Sequence, residues 1–253
     1  MSNLNLSTYN KKEVVEWYKT LDSVLPVEAT IFDIFKDKLK RNVLDIGIGG
    51  GRTTNYLIEK CGAYIGIDYS NVFTEVVKQR FPTADIRHMD ARDLKAFDNS
   101  SFDFVNFSFN GIDYVDHNDR IKILDEVYRV LKPGGVFFFS THNKDHFTFN
   151  RPAWANPENS NWINFKTFIK LLPYVFIHMK QKRNEVFHEG FAIINDSAHN
   201  YSLLTFYTSP FYLKEQLSAH LFSDQEFYSK SGEVKEDKDL DDWIFVTCKK
   251  SLA

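Results

Sequence analysis

The stretch "VLDIGIGGGRTT", Val43 to Thr54, sets four glycines within the five positions 47–51, directly behind an apolar run. Glycine inside regular structure costs about 0.5–1 kcal/mol relative to alanine. A chain that accepts this cost beside a buried strand needs a tight turn or a backbone that approaches a ligand closely. The reading of this loop decides the fold.

Working outward, strand and helix patterns alternate. "NVLDI" (42–46) ends in the glycine loop, and "RTTNYLIEKC" follows as a helix. "AYIGID" (63–68) is the next strand. "NVFTEVVKQRF" is a helix capped by Ser70 or Asn71. "ADIRHMD" (84–90) and "SFDFVNFSF" (101–109) are strands, "RIKILDEVYRVL" (120–131) a helix that "KPGG" stops, and "VFFFST" (136–141) a fifth strand. Such alternation implies parallel strands joined by right-handed crossovers. The apolar strands fit a sheet covered on both faces.

Upstream, "KKEVVEWYKTL" and "VEATIFDIFKDKL" carry apolar residues at helical spacing. Downstream of Asn143 the rhythm breaks into aromatics mixed with Asn, Pro and Lys. "EVFHEGFAIINDSAHNYSLLTFYTS" reads as two strands around an Asn195–Asp196 turn. "SPFYLKEQLSAHLF" is a helix with Ser209 as cap and Pro210 in its first turn. "QEFYSK" and "WIFVTCKK" are closing strands, separated by a charged, solvated loop.

The expected architecture is α/β: a doubly wound, seven-stranded, mainly parallel sheet with its last strand antiparallel and inserted beside the fifth. One domain spans 1–253, with an N-terminal helical cover (1–41), a cofactor-binding core (42–142), a lid (143–208) and a last helix with two strands (209–253).

Composition narrows the class. The 253 residues carry a net charge of −3, which gives no sign of a nucleic-acid partner. Apolar runs are too short to span a membrane, no secretory signal is seen, and two cysteines make neither a disulfide framework nor a zinc site. No metal is expected, the expected compartment is the cytoplasm, and the oligomeric state stays open.

The loop fails the dinucleotide pattern G-x-G-x-x-G, because Arg52 or Thr54 falls on its third position, and it lacks the Gly-Lys-Ser/Thr of a phosphate-binding loop. It does fit D-x-G-x-G-x-G at Asp45, Gly47, Gly49 and Gly51. "GIDYS" supplies Asp68 at the end of the second strand and "HMDAR" supplies Asp90 and Ala91 at the end of the third. "DEVYRVLKPGGVFFFS" completes the series. In these motifs the chain resembles the class I S-adenosylmethionine-dependent methyltransferases. The resemblance implies S-adenosylmethionine as cofactor and S-adenosylhomocysteine as product. It implies that Asp45 serves the amino group, Asp68 the ribose hydroxyls, and Asp90 the adenine edge. Tyr69 would stack on adenine, Phe107, Ser108 and Phe109 at the end of the fourth strand would line the cofactor, and Tyr18 or Tyr9 would reach the methionine carboxylate. Asp68 as a helix cap, Asp90 as a turn residue and Tyr69 as packing are the alternatives.

Methyl transfer is an in-line displacement, so positioning carries much of the barrier. A hydroxyl or ammonium acceptor also needs a base. His142, just past the fifth strand, and His199 are the candidates; local hydrogen bonding is the alternative for His142, and helix capping fits His117 better. The lid contributes Phe147, Phe149, Trp154, Trp162, Phe165, Phe168, Tyr174 and Phe176 with interleaved cations, as a small-molecule acceptor would need; these aromatics equally suit a small core of the lid itself. The expected function is transfer of a methyl group to O or N of a small molecule, such as a sugar or secondary metabolite. A protein or RNA methyltransferase, or a non-catalytic subunit of the same fold, is the alternative.

Overall fold

The computed structural model describes residues 1–150, 174 and 176–252. Four helices open the chain: α1 (Ser2–Tyr9), α2 (Lys12–Lys19), α3 (Pro26–Ile34) and α4 (Lys36–Leu39). β1 (Asn42–Ile46), α5 (Arg52–Leu57), β2 (Ala63–Asp68), α6 (Asn71–Arg80), β3 (Asp85–His88), β4 (Phe102–Phe107), α7 (His117–Val130) and β5 (Leu131–Asn143) then alternate. β6 (Val186–Phe187), β7 (Phe191–Ile194) and β8 (Thr205–Thr208) follow. The final elements are α8 (Pro210–Ala219), β9 (Phe222–Tyr228) and β10 (Trp243–Lys250).

Seven strands form the expected sheet in the order β3-β2-β1-β4-β5-β10-β9. The first five are mutually parallel. β10 runs antiparallel between β5 and β9, pairing Phe245 with Ser140 on one side and Tyr228 on the other. The described residues add three strands to these seven, a correction to the expected count. β5 outruns its neighbours, and its last residues His142 and Asn143 pair with Tyr207 and Thr208 of β8, from which β7 and β6 extend. The second half of the expected lid is thus a branch of the sheet. Of its expected aromatics, Trp154, Trp162, Phe165 and Phe168 lie outside the described residues.

β5 shows why the strands are apolar throughout. Phe137 and Phe139 pack on one face with Ile123, Leu124 and Val127 of α7 and Leu213 and Leu217 of α8. Val136 and Phe138 pack on the other with Val27, Ile31 and Phe32 of α3 and Leu57 of α5. A strand covered on both sides has no polar face to alternate. The helix starts follow their caps: Ser70 accepts from the Phe73 amide and Ser209 from the Tyr212 amide.

Candidate active site

The glycine loop shows what its residues are for. Gly47, Gly49 and Gly51 all have left-handed φ, at 68°, 50° and 91°. Gly50 lies under α2, where a Cβ would come 2.3 Å from the Tyr18 carbonyl oxygen. The backbone turns here at the carboxyl edge of the parallel strands, the edge at which open α/β sheets bind ligands.

A cleft opens at that edge, about 780 Å³ with its solvent-filled mouth included. Its lining runs from Met89, Asp90, Ala91 and Arg92 after β3, past Asp68 and Tyr69 after β2, to Gly47 and Gly49, then to Phe107, Ser108 and Phe109 after β4. Tyr9 and Tyr18 of the N-terminal helices, with Phe73 and Tyr114, add an aromatic wall. A smaller recess shares Tyr18, Gly47, Gly49, Ser108 and Phe109 and continues to Leu21, Arg52 and Thr53.

Asp68 stands at the middle. Its two oxygens accept from the Ser70 amide at 2.8 Å and the Gly49 amide at 2.9 Å. Burial pushes its carboxyl up to about 6 against the pull of those two amides. The Tyr69 hydroxyl is buried without a partner among the described residues. An orphaned buried donor on a cleft wall fits a polar ligand group. Asp90 is bound by Arg92, which also reaches Asp119. Burial raises the Asp90 carboxyl, but the Arg92 bonds outweigh it and hold it below the usual range.

Of the residues expected around the cofactor, Gly47, Gly49, Asp68, Tyr69, Asp90, Ala91, Phe107, Ser108 and Tyr18 line this cleft. Two do not. Asp45 is almost fully buried and accepts from Thr53 Oγ1 (2.7 Å), Tyr64 Oη (2.8 Å) and Asn106 Nδ2 (2.6 Å). These bonds make it an anchor beneath the loop. Gly51 starts α5 and packs toward Val77 and Phe81.

The expected bases also lie off the cleft lining. His142 is on β5, its ring against Tyr207 and Trp243 at centroid distances of 4.8 and 5.7 Å. His199 is not in a strand, because the β7–β8 connection spans 195–204 and His199, Asn200 and Tyr201 all have positive φ. Its ring stacks on Tyr18 (5.9 Å, 29°) and meets Tyr9 and Trp17 edge-on. Burial holds its imidazole below the ordinary range. Loop 195–204 is further tied to the N-terminal helices by Asn5, whose amide donates to Leu204 O (2.9 Å) and accepts from Leu204 N (3.0 Å), and by Thr8, which donates to Ser202 O.

The role of Arg52 and the turn conformation at Phe109 and Asn110 went unread in the sequence. Arg52, the first residue after the glycines, forms a buried two-pronged ion pair with Glu28 of α3 and lies over the Phe109 ring at 4.7 Å. Its place behind the loop was the available signal. Phe109 and Asn110 both take left-handed φ of 59° without being glycine, which marks a strained turn after β4. Among the described residues, no helix is long and apolar enough to cross a membrane, and no cluster of three or more His, Cys, Asp or Glu is placed to hold a metal.

A family model described as a methyltransferase domain matches residues 43–135. The chain is 30% identical over 165 residues to a probable S-adenosylmethionine-dependent methyltransferase of Mycolicibacterium smegmatis, covering 65% of this chain and 62% of that one. It is 30% identical over 135 residues to the ubiquinone biosynthesis O-methyltransferase of Neisseria meningitidis, covering 51% and 55%. The chain thus spans less than two thirds of the length of these curated relatives. Among solved structures, it resembles the Burkholderia thailandensis 1,6-didemethyltoxoflavin-N1-methyltransferase with bound 1,6-didemethyltoxoflavin and S-adenosylhomocysteine. The TM-score is 0.58 at 16% identity, over 99% of this chain and 87% of that one. Sheet order, glycine loop and matched region agree: residues 43–135 match a methyltransferase domain, and the chain has the Rossmann-like methyltransferase fold.

Proposed function

We propose that this protein transfers the methyl group of S-adenosylmethionine to an oxygen or nitrogen atom of a small molecule. The observation that carries the reading is the shape of the cleft. It runs continuously from Asp90 past Asp68 to Phe109, and helices α1 and α2 roof it with Tyr9 and Tyr18. A roofed aromatic cleft suits a cofactor and a compact acceptor better than a folded protein or a duplex. The named relatives act in the same direction, since one is an O-methyltransferase of ubiquinone biosynthesis and one structural neighbour binds a didemethyltoxoflavin.

In this reading Asp68 accepts the ribose hydroxyls, and Asp90 and Ala91 edge the adenine beside Tyr69. Gly47, Gly49 and Tyr18 receive the methionine portion, next to the recess that holds Arg52. Phe107, Ser108 and Phe109 form the floor at the methyl donor. The bound cofactor supplies an electrophilic methyl on a sulfonium. The chain excludes water with its aromatic wall and holds the reactants in line, a positioning effect of up to roughly 7–11 kcal/mol. His142 is the proton acceptor, and residues 143–208 carry acceptor specificity.

Titration calorimetry with S-adenosylmethionine, S-adenosylhomocysteine and NAD tests the cofactor assignment, with NAD expected to bind far more weakly. Incubation with methyl-labelled cofactor and a metabolite extract, followed by mass spectrometry, tests the acceptor class. Label appearing in protein or RNA and in no small molecule refutes the reading.

A further inference from the structure

At the carboxyl ends of β4 and β5 lies a buried polar cluster that cofactor binding does not use. Asp113, in the 3-10 turn Gly111–Tyr114 after β4, is its centre. Its Oδ1 accepts from Thr141 Oγ1 (2.6 Å) and Arg120 (2.7 Å). Its Oδ2 accepts from the His142 backbone amide (2.7 Å) and lies 2.7 Å from His142 Nδ1. Asp113 and Arg120 are fully buried. Arg120 also donates to Gln216 and lies over the Phe206 ring. With Arg120 supplying the countercharge, Asp113 acts as an acceptor toward all its partners. The hydrogen on the imidazole therefore belongs on Nδ1, and the lone pair on Nε2.

Nε2 is 3.2 Å from the Asn110 amide nitrogen. Asn110 Oδ1 is buried and has no partner among the described residues. Asn110 follows Phe109, a wall of the cofactor cleft, and the Phe109 ring meets Trp243, which also packs on His142. In the Nδ1–H form the Nε2 lone pair thus accepts from the Asn110 amide, whose own oxygen is orphaned, one residue along the chain from the cleft lining.

We propose that Asp113 is the positioning residue that fixes His142 in the Nδ1–H form, and that the Asn110 amide turns off Nε2 so that this nitrogen receives the proton of the methyl acceptor. The proposal rests on the reading of the protein as an O- or N-methyltransferase. In the step, the acceptor's O–H or N–H bond breaks and its proton passes to Nε2. The acceptor's electron pair forms the bond to the methyl carbon, and the carbon–sulfur pair stays on sulfur. The resulting imidazolium keeps Asp113 on one side. A half-turn of the Asn110 amide brings Oδ1 onto the new Nε2–H.

The test is nitrogen NMR of the full, 15N-labelled chain with S-adenosylhomocysteine bound, the His142 ring signals being identified by their loss in His142→Gln. With its ring neutral, His142 is expected in the Nδ1–H form in the wild type and to lose that preference in Asp113→Asn. If Asp113→Asn does not fold, Thr141→Val, which removes one bond to Asp113, is expected to show a partial change. The Nε2–H form in the wild-type chain overturns the proposal, whatever the acceptor. With an acceptor from the extract screen, kcat is expected to fall about 10²-fold or more in His142→Gln and Asp113→Asn, in the range for a lost proton acceptor. KM for the cofactor stays within about twofold. Unchanged kcat in His142→Gln overturns the proton-acceptor role. No transfer to any compound, with the Nδ1–H form intact, counts against the transferase reading and upholds the Asp113 assignment.

Discussion

Replacing Asp68 with Asn probes the centre of the cleft in two independent ways. Each carboxylate oxygen accepts one backbone amide, from Ser70 and from Gly49. The substitution turns one oxygen into an NH2 group facing an N–H, so one buried amide loses its acceptor. Such a loss costs about 1–3 kcal/mol, which for a chain of this size lowers Tm by about 2–12 °C. In the proposed role the ribose also loses a charged acceptor, worth about 1.5–3 kcal/mol, or roughly a 10- to 150-fold rise in Kd for S-adenosylhomocysteine. The wild type adds a pH signature, because burial pushes Asp68 up to about 6. This value lies above that of an unfolded aspartate, so the group's contribution to stability is full at acid pH and is lost as pH rises through about 6. Cofactor binding runs the opposite way, since ribose hydroxyls donate to the ionised form. Affinity should fall about tenfold per pH unit below about 6 in the wild type and stay flat in Asp68→Asn. Calorimetry across this range decides the matter. Wild-type affinity in the variant, or the same acid limb in both proteins, would refute the assignment.

Glu28→Ala leaves the Arg52 guanidinium buried without its countercharge; a loss of about 3–5 kcal/mol is expected in urea unfolding. Gly50→Ala places a Cβ 2.3 Å from the Tyr18 carbonyl and must displace α2; S-adenosylhomocysteine affinity should drop about tenfold or more, a change of at least about 1.4 kcal/mol. Asn5→Ala removes the bonds that tie α1 to Leu204 and Tyr114. The release rate of S-adenosylhomocysteine, followed by tryptophan fluorescence in stopped flow, should rise about tenfold, and an unchanged rate would separate the N-terminal helices from cofactor exchange.

Most of the parallel strands were legible as apolar runs bounded by a turn or cap residue, whereas β3, Asp85–His88, is polar but for Ile86. Ser70 and Ser209 could be named as caps from their place before a helical pattern, and β10 from its place as a late strand. Helix α1 was not legible: "SNLNLSTY" has no apolar stripe, and Asn5 and Thr8 hold it by bonds to residues almost two hundred positions away. The β7–β8 connection was misread as a tight turn. His199, Asn200 and Tyr201 adopt left-handed backbone there, a choice imposed by packing against Tyr9, Trp17 and Tyr18. Asp45 was read correctly as part of the glycine motif, yet its side chain turns away from the cleft because Thr53, Tyr64 and Asn106 supply donors behind the loop. The tie between Asp113 and His142 depends on two strand ends meeting in space, which no local spacing records.

The position of β10 has a consequence for synthesis. This strand lies between β5 and β9, yet Lys249 trails its partner Val136 by 113 residues. At about 5–20 residues per second, a ribosome needs roughly 6–23 s to deliver it. During that interval β5 carries an unpaired edge along Phe137, Phe138 and Phe139, the kind of exposed apolar strand that recruits other chains. Nascent chains stalled before Trp243 should therefore be a main source of aggregation for this protein and a natural client for holding chaperones.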